Sequence, residues 1–430
     1  MLALVLGIGL FTRNIRKIIR NIKLGREEET TGDKKARWKN VIQIALGQSK
    51  MVVRPVSGIM HIIVYVGFVI INIEVLEIII DGLFGTHRIF SFLGVAYDYL
   101  IASFEVLALL VLVAVVVFWI RRNIQRLQRF MSPEMKGWPK NDGNIILYFE
   151  VVLMSLFLLM NAADHQLQHL GAPHYNEAGM FPVSMHLLPL IDGLSINALI
   201  ILERTTWWLH IIGILTFLNY LYFSKHLHIL LAFPNVYFGK LDAKGKLKNL
   251  ESVTNEVKLM MDPSADPYAA PAEGAEAPAK FGASDVMDLS TIQLLNAYTC
   301  TECGRCTSEC PANQTGKKLS PRKIMMDTRD RLQEVGLNVD KNGTFKPDGK
   351  QLLGDYISHE ELWACTTCNA CTEACPVSID PLSIIMDMRQ YLVMEQSAAP
   401  SELNVTMTNI ENNGAPWPFN QMDRANWINE

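Results

Sequence analysis

Eight cysteines carry the most specific chemical signal in the sequence, and they form two motifs with identical spacing. The first motif begins at Cys300 and the second at Cys365, and each reads C-x2-C-x2-C-x3-C-P. This is the spacing of paired [4Fe–4S] sites, in which the fourth cysteine of each motif ligates the other cluster. Zinc is the alternative, but a zinc site has no use for a third closely spaced cysteine. The spacing therefore favours iron–sulfur chemistry.

The geometry of the motif predicts which cysteines share a cluster. Three cysteines at three-residue intervals on a tight loop can face one cube, while the fourth starts a helix and points at the other cube. We expect one cluster on Cys300, Cys303, Cys306 and Cys375. We expect the second cluster on Cys310, Cys365, Cys368 and Cys371. No cysteine then remains for a catalytic thiol, and restriction of all eight to this region indicates a reducing compartment.

Histidines in the apolar first half suggest a second redox group. His210 and His228 are eighteen residues apart, or five helical turns, so we expect both on one helix face, ~27 Å apart along the axis. His226 would face nearly the other way, and His61 lies on an earlier apolar segment. Histidines are costly in lipid, and b-type haem takes one axial imidazole from each of two helices. The alternative for each histidine is a hydrogen bond to a neighbouring helix.

Three carboxylates lie in the outer half of the apolar segments: Glu74, Glu77 and Glu105. Carboxylates at this depth are expensive unless they are paired or neutral. Grouped with His210, they predict a proton-exchanging quinol site on the outer side. The alternative for Glu77 is that it borders the aqueous phase.

Four apolar stretches are long enough to cross a membrane, which takes ~20 helical residues. They are residues 55–80, 98–120, 145–163 and 206–233. The shorter run Leu2–Phe11 is interpreted as the tail of a fifth helix or a partial span. It is followed, not preceded, by basic residues, which argues against a cleaved signal peptide.

The distribution of basic residues predicts the orientation. Residues 13–54 contain twelve Lys or Arg and residues 121–140 contain six, whereas the loops 81–97 and 164–204 contain one each. The positive-inside rule places the two basic regions in the cytoplasm, and four spans return the chain to that side before the cysteines. The net charge of −4 shows no basic excess, so we expect no nucleic-acid partner.

The fold predicted from these features is mainly α. It is a transmembrane helix bundle with four full spans plus a short N-terminal one, followed by an α-helical ferredoxin-like domain with two [4Fe–4S] clusters. We expect a membrane haem b domain at 1–235, a linker at 236–284, the two-cluster domain at 285–400 and a C-terminal tail at 401–430. Residues 262–282, rich in Pro and Ala, are interpreted as a tether or as a segment draped over the surface. The tail is polar yet contains aromatic residues, which suggests a surface for docking a partner. The alternative is that the tail folds back on its own domain.

The membrane half resembles the respiratory nitrate reductase gamma-subunit family. The resemblance lies in Trp208 to Gly213 and Phe223 to Ile229, which match its last helix, and in Met60 to Phe68, which match its second helix. It implies a cytoplasmic-side haem between His61 and His228. The family's second histidine on the second helix is replaced here by Ile71. His210 therefore takes His165 or His169 as its partner, or the outer haem is missing.

The cysteine half resembles the C subunit of heterodisulfide reductase, through Cys-Gly-Arg-Cys, Cys-Pro-Ala and the Leu-Ser-Pro-Arg-Lys run at 319–323. Together the two resemblances imply a subunit of a quinone-linked oxidoreductase in the bacterial cytoplasmic membrane, with its iron–sulfur domain in the cytoplasm. Electrons would pass between the quinone pool, one or two haems b, the two clusters and a cytoplasmic partner. That partner would be a cysteine-rich-domain or flavoprotein subunit and would carry the catalytic chemistry, since no dinucleotide fingerprint is present. The alternative is a membrane-anchored redox sensor or assembly protein.

Overall fold

The protein is almost entirely helical in a computed structural model that describes residues 1–28, 30, 32–243, 245–247, 249–263 and 280–429. Within these residues there is no β-strand, only two isolated bridges between Arg26 and Ser290 and between Leu353 and Ile357. The mainly α prediction is confirmed. The predicted tether falls largely on 264–279, outside the described residues.

Four long apolar helices form the membrane bundle, and each is long and apolar enough to cross a bilayer. They are α3 (Pro55–Phe84), α4 (Val95–Asn123), α5 (Trp138–His169) and α6 (Ile196–Tyr220), preceded by α1 (Leu2–Ile22) and α2 (Lys34–Asn40). Helix α3 starts with Pro55 in its first turn and ends at Gly85 in the left-handed region (φ 69°), which are the usual helix start and stop residues.

The remaining helices are shorter and follow the bundle. They are α7 (His228–Phe238), α8 (Glu251–Met261), α9 (Thr291–Thr299), α10 (Arg305–Ser308), α11 (Pro311–Gln314), α12 (Pro321–Asn342), α13 (His359–Trp363), α14 (Ala370–Ala374), α15 (Pro381–Met394) and α16 (Ser401–Asn413). Short 3₁₀ turns join many of them, and π-helical turns occupy Val41–Leu46 and Leu352–Tyr356.

The last membrane helix differs from the prediction. The span runs from Ile196 to Phe223 instead of 206–233. Helix α6 ends at Tyr220, Ser224 is extended (φ −111°, ψ 146°), and a new helix begins at His228. Because the helix is interrupted between them, the argument that His210 and His228 share one face by five-turn periodicity is wrong. The interruption also overturns the expectation that His226 points away from His228.

The N-terminal helix α1 extends well beyond its apolar start. Its first half exposes apolar side chains and packs along α6, where Gly7 lies against Leu215. Its basic second half reaches the cysteine domain, where Lys17 pairs with Asp340 at 2.8 Å and Arg20 pairs with the same carboxylate. The helix therefore connects the bundle to the cysteine domain.

The cysteine domain packs directly on the cytoplasm-predicted end of the bundle. One continuous apolar core contains Phe217 and Leu221 of the bundle together with Leu294 and Met325 of the domain. Buried polar contacts cross the same boundary, including Arg322 to Glu134 at 2.7 Å. The buried core and the Arg322–Glu134 pair show that the two halves pack directly on each other.

Candidate functional site

The two cysteine loops have the same backbone conformation. In each loop the residues flanking the second cysteine have positive φ: Glu302 (55°) and Gly304 (72°) in the first, Thr367 (58°) and Asn369 (60°) in the second. Glycine and asparagine tolerate this left-handed region best. Each loop then enters a short helix that carries the third cysteine, and these helices, α10 and α14, pack against each other. The duplicated sequence is thus a duplicated structure.

The structure brings the thiols together in crossed groups. Cys300, Cys303 and Cys306 of the first motif line one pocket with Cys371 and Cys375 of the second. Cys310, the fourth cysteine of the first motif, lies within electrostatic range of Cys365 in the second. We call these two sets the Cys300 group (Cys300, Cys303, Cys306, Cys375) and the Cys310 group (Cys310, Cys365, Cys368, Cys371).

The donor chemistry of the Cys300 group fits an iron–sulfur cluster. Burial raises the pKa of Cys300 to about 12 and that of Cys375 to about 11, so these thiols do not ionise at neutral pH without a bound cation. A coordinating metal deprotonates a thiol outright. Among the described residues, no three His, Cys, Asp or Glu side chains are arranged to hold a single ion. Five cysteines around one pocket, with no three of them arranged around a single ion, suit a polynuclear group better than one zinc ion.

His61 and His228 lie together, and His61 is within electrostatic range of Arg305 in the first cysteine loop. Their ring centroids are 6.5 Å apart, with the rings tilted by 41°. Two metal–nitrogen bonds of about 2 Å and two ring radii of about 1 Å place the centroids of opposed axial imidazoles ~6 Å apart. The observed separation therefore matches a bis-histidine iron.

The hydrogen bonding of the two rings supports the same use. The Nδ1–H of His228 donates to the carbonyl of Lys225 at 3.1 Å, which leaves Nε2 with a free lone pair. Nδ1 of His61 is buried and has no hydrogen-bond partner. Burial lowers the pKa of His228, so its ring is held neutral, as a metal ligand must be.

His226 is a third histidine at this place that helical periodicity missed. Its ring lies 5.4 Å from that of His228, nearly perpendicular to it, and 5.4 Å from Phe217. Burial, reinforced by the neighbouring His228 and His61, lowers its pKa to about 3. The helix break at Ser224 is what turns His226 towards the other two rings.

His210 lies elsewhere in the bundle. It is buried, and its Nδ1–H donates to the carbonyl of Leu153 on α5 at 3.0 Å, with Phe157 beside the ring. His165 is twelve residues further along α5, or ~18 Å at 1.5 Å per residue, and its ring packs on Phe181. The structure does not bring His165 or His169 beside His210. The hydrogen bond to a neighbouring helix accounts for this histidine.

Arg88 gathers the outer carboxylates. It lies in the loop between α3 and α4, is buried, and donates to Glu74 Oε1 at 2.9 Å and to Asp164 Oδ2 at 2.7 Å. The side chain also reaches Asn161, which donates to Glu105 at 3.3 Å. The sequence reasoning grouped Glu74 and Glu105 with His210, whereas their observed partners are Arg88 and Asn161. The sequence signal that could have revealed this network is Arg88 itself, a single arginine in the loop between α3 and α4.

Further side chains that can exchange a proton border the Arg88 network. Glu77 accepts from the hydroxyl of Tyr97 at 2.8 Å and from the backbone N–H of Phe90. His87 Nε2 lies 2.8 Å from Asp164, and Glu74 Oε2 is buried without a partner. Three carboxylates, Glu74, Glu77 and Asp164, thus lie around the single guanidinium of Arg88.

A buried ion bridge connects the histidines to the first cysteine loop. Glu302, between Cys300 and Cys303, accepts from Arg329 at 2.7 Å and from Lys225. Burial alone would raise the pKa of Glu302, but these two cations outweigh it and lower the pKa. The carbonyl of Lys225 is the acceptor for His228, so three residues span from the imidazole to the cysteine loop.

Comparison with known proteins supports the iron–sulfur assignment. The family described as "4Fe-4S dicluster domain" matches residues 299–379. The chain is 30% identical over 453 residues to the probable iron-sulfur-binding oxidoreductase FadF of Bacillus subtilis, covering 99% of this chain and 59% of the relative. It is 26% identical over 411 residues to the EtfAB:quinone oxidoreductase of Syntrophomonas wolfei, covering 90% of this chain and 53% of the relative.

A shorter match covers the cysteine domain. The C subunit of the ferredoxin/F(420)H(2)-dependent CoB-CoM heterodisulfide reductase of Methanosarcina acetivorans is 30% identical over 128 residues, 30% of this chain and 65% of the relative. No solved structure matches the chain. The chain spans little more than half the length of the two long relatives. These findings confirm the heterodisulfide reductase resemblance. The chain has four helices that are long and apolar enough to cross a membrane, and its cysteine region matches a 4Fe-4S dicluster domain.

Proposed function

We propose that this chain is the quinone-linked electron-transfer subunit of a larger oxidoreductase. The observation that carries the proposal is the series of contacts that leads from the two histidines to the first cysteine loop. His61 and His228 face each other at a metal-binding separation, and the Lys225–Glu302 bridge leads from His228 to the Cys300 group. The Lys225 and Glu302 side chains are both buried between the bundle and the cysteine domain, so packing fixes the distance between them.

The cysteines and histidines have separate tasks in this proposal. The Cys300 group and the Cys310 group each bind one [4Fe–4S] cluster, and His61 with His228 binds one haem b. These groups supply the capacity to take up and release single electrons when bound. The protein residues bind them, hold the His228 tautomer through the Lys225 carbonyl, and exclude water with the core around Phe217 and Leu221. His210 needs no second haem, because Leu153 is its partner.

The Arg88 network is the proposed proton-handling side of quinone chemistry. A quinol that loses two electrons must also release two protons. Glu74 has a free buried oxygen, and Asp164 with His87 continues from it towards the loop that contains His174. This arrangement accepts a proton within the bundle and delivers it to the side opposite the cysteine domain. Arg88 holds the carboxylates in place.

We place the chain in the bacterial cytoplasmic membrane with the cysteine domain in the cytoplasm, on the basis of the basic residues before α3 and after α4. The partner is a cytoplasmic subunit that carries the substrate chemistry. The name of the Syntrophomonas relative makes EtfAB one defined candidate for the partner. The resemblances stated above imply a cysteine-rich-domain or flavoprotein subunit. A membrane-anchored redox sensor or assembly protein would need no paired histidines, and the experiment described next also tests that alternative.

Difference absorbance spectra of the purified full chain test the proposal. We expect a reduced b-type haem band together with broad cluster absorption. His61→Ala should abolish the haem band and leave the cluster absorption intact. His186→Ala, an exposed histidine on the other side of the bundle, should leave both unchanged. A haem band that survives His61→Ala contradicts the assignment, and a wild-type chain without haem supports the sensor alternative.

A further inference from the structure

The two cysteine groups occupy different surroundings. The first loop is covered by the membrane half: Arg305 within it donates to the carbonyls of Lys50 and Met51, just before α3, at 2.8 and 3.2 Å. The second loop lies on the outer surface of the domain, where Cys368 is exposed. Arg305 therefore ties the first loop to the bundle, whereas the second loop exposes Cys368 to solvent and contacts the membrane half through Lys50, which donates to the Glu373 carbonyl at 3.4 Å.

The charges around the two groups also differ. Arg129, from the connection between α4 and α5, and Arg305 both lie within electrostatic range of Cys303. Lys50 lies within range of Cys375. Burial lowers the pKa of Arg129 to about 10, so it remains a cation at neutral pH. We call Lys50, Arg129 and Arg305 the cationic collar of the Cys300 group.

The Cys310 group has no comparable collar among the described residues. Arg389 lies near Cys365 and donates to its carbonyl at 2.6 Å. Asp380 lies near Cys371 and opposes that charge. Two of the three collar cations belong to the membrane half, whereas Arg389 and Asp380 both belong to the cysteine domain.

We infer that the Cys300 group is the membrane-side electron acceptor, tuned by the cationic collar, and that the Cys310 group is the exit to the partner, reached at Cys368. This inference rests on the proposed function and adds the order of the two groups. Reduction adds one negative charge, which nearby cations stabilise, so the collar raises the reduction potential of whatever the Cys300 group binds. Docking of the domain on the bundle is then a condition for that potential.

The transfers balance as single-electron steps. The membrane-side donor is oxidised by one electron and the cluster at the Cys300 group is reduced by one. That electron then passes to the Cys310 group, and the partner's acceptor is reduced by it. A quinol supplies two such electrons in succession and releases two protons into the Arg88 network. The reverse direction uses the same order of sites.

A redox titration of the full chain, followed by electron paramagnetic resonance, tests the tuning. Arg129→Gln is the cleanest variant, because the structure records no hydrogen bond from that side chain, and its Nε is buried without a partner. Lys50→Gln removes a second collar charge. Both should lower the midpoint potential of one cluster signal and leave the other unchanged. Arg389→Gln, the matched control, should shift only the other signal. The signal lost in Cys368→Ser identifies the Cys310 group.

A soluble paramagnetic chelate tests the order without relying on any collar variant. It should accelerate relaxation of the Cys310-group signal far more than that of the Cys300-group signal in the wild-type chain. Equal acceleration of both signals, or a collar variant that shifts the Cys310-group signal, overturns the inference while leaving the proposed function intact. A wild-type chain that binds no clusters overturns the proposed function itself.

Discussion

Replacing Glu302 with Gln should loosen the cysteine domain from the bundle. The Glu302 side chain is 3% exposed and lies between Lys225 and Arg329, which are 9% and 12% exposed. Removing one partner of a buried ion pair costs about 3–5 kcal/mol, because the opposite charge stays buried. Lys225 keeps Asp142 at 3.7 Å and Arg329 keeps Asp330 at 2.9 Å, so we expect the lower end of that range.

A loss of about 3 kcal/mol corresponds to roughly a 100-fold increase in opening, since 1.4 kcal/mol is tenfold. Hydrogen exchange of the full chain in a lipid nanodisc should show this increase for amides of α7 and α9, which pack together across the interface. Glu309→Gln is the control, because the Arg54–Glu309 pair crosses the same boundary with a carboxylate that is 51% exposed. Such a pair contributes about 0–1 kcal/mol. Equal effects of the two variants would refute the reasoning.

The remaining predictions concern the cysteine domain. Asp288→Asn should reduce stability at pH 7 but not at low pH. Lys280 and backbone N–H groups outweigh the effect of burial and lower the pKa of Asp288. The stabilising contribution of the carboxylate is therefore complete above its ordinary pKa of about 3.8 and is lost as the pH falls through the folded-state pKa. Thermal melts across pH check this. Arg331→Ala should cost about 3 kcal/mol, because its fully buried guanidinium pairs with two carboxylates; a denaturant titration measures it. Asn369→Val should lower iron content, since a β-branched residue at φ 60° is strained by roughly 1–3 kcal/mol, whereas Asn369→Gly should retain it.

The parts of the fold that depend on local pattern were predictable from sequence. Apolar runs located all four membrane helices, because a lipid-facing helix must be apolar around most of its surface. Each cysteine motif is followed by a helix, α12 (Pro321–Asn342) or α15 (Pro381–Met394), and each of these helices starts at a proline, which is a local start signal. Gly343 (φ 81°) terminates α12, as a glycine at positive φ commonly does.

The parts that depend on long-range contact were not predictable. The break at Ser224 sets the positions of His226 and His228, and helical periodicity gives no sign of it, although the Ser224 hydroxyl caps the following turn by accepting from the backbone N–H of His226. The partner of Glu74 is fourteen residues away in a loop, and that of Glu105 is on another helix. Pairings of this kind follow from how helices pack, which periodicity does not encode.

The domain interface was missed for a related reason. The Pro- and Ala-rich segment was interpreted as a linker, and the composition of a linker says nothing about the surfaces on either side of it. Arg322 illustrates the point: it is fully buried against Glu134 and the carbonyl of Arg129, nearly two hundred residues earlier in the chain. A buried arginine can be recognised only once its partners are in place.

Anaerobic reduction of the full chain by a water-soluble quinol tests the central claim most directly. With haem absorbance and the cluster resonance signals followed in the same sample, the wild-type chain should show reduction of both. His61→Ala should leave the clusters oxidised on the same time scale, although dithionite still reduces them. Cluster reduction by quinol at the wild-type rate in His61→Ala would contradict a path through the His61–His228 pair.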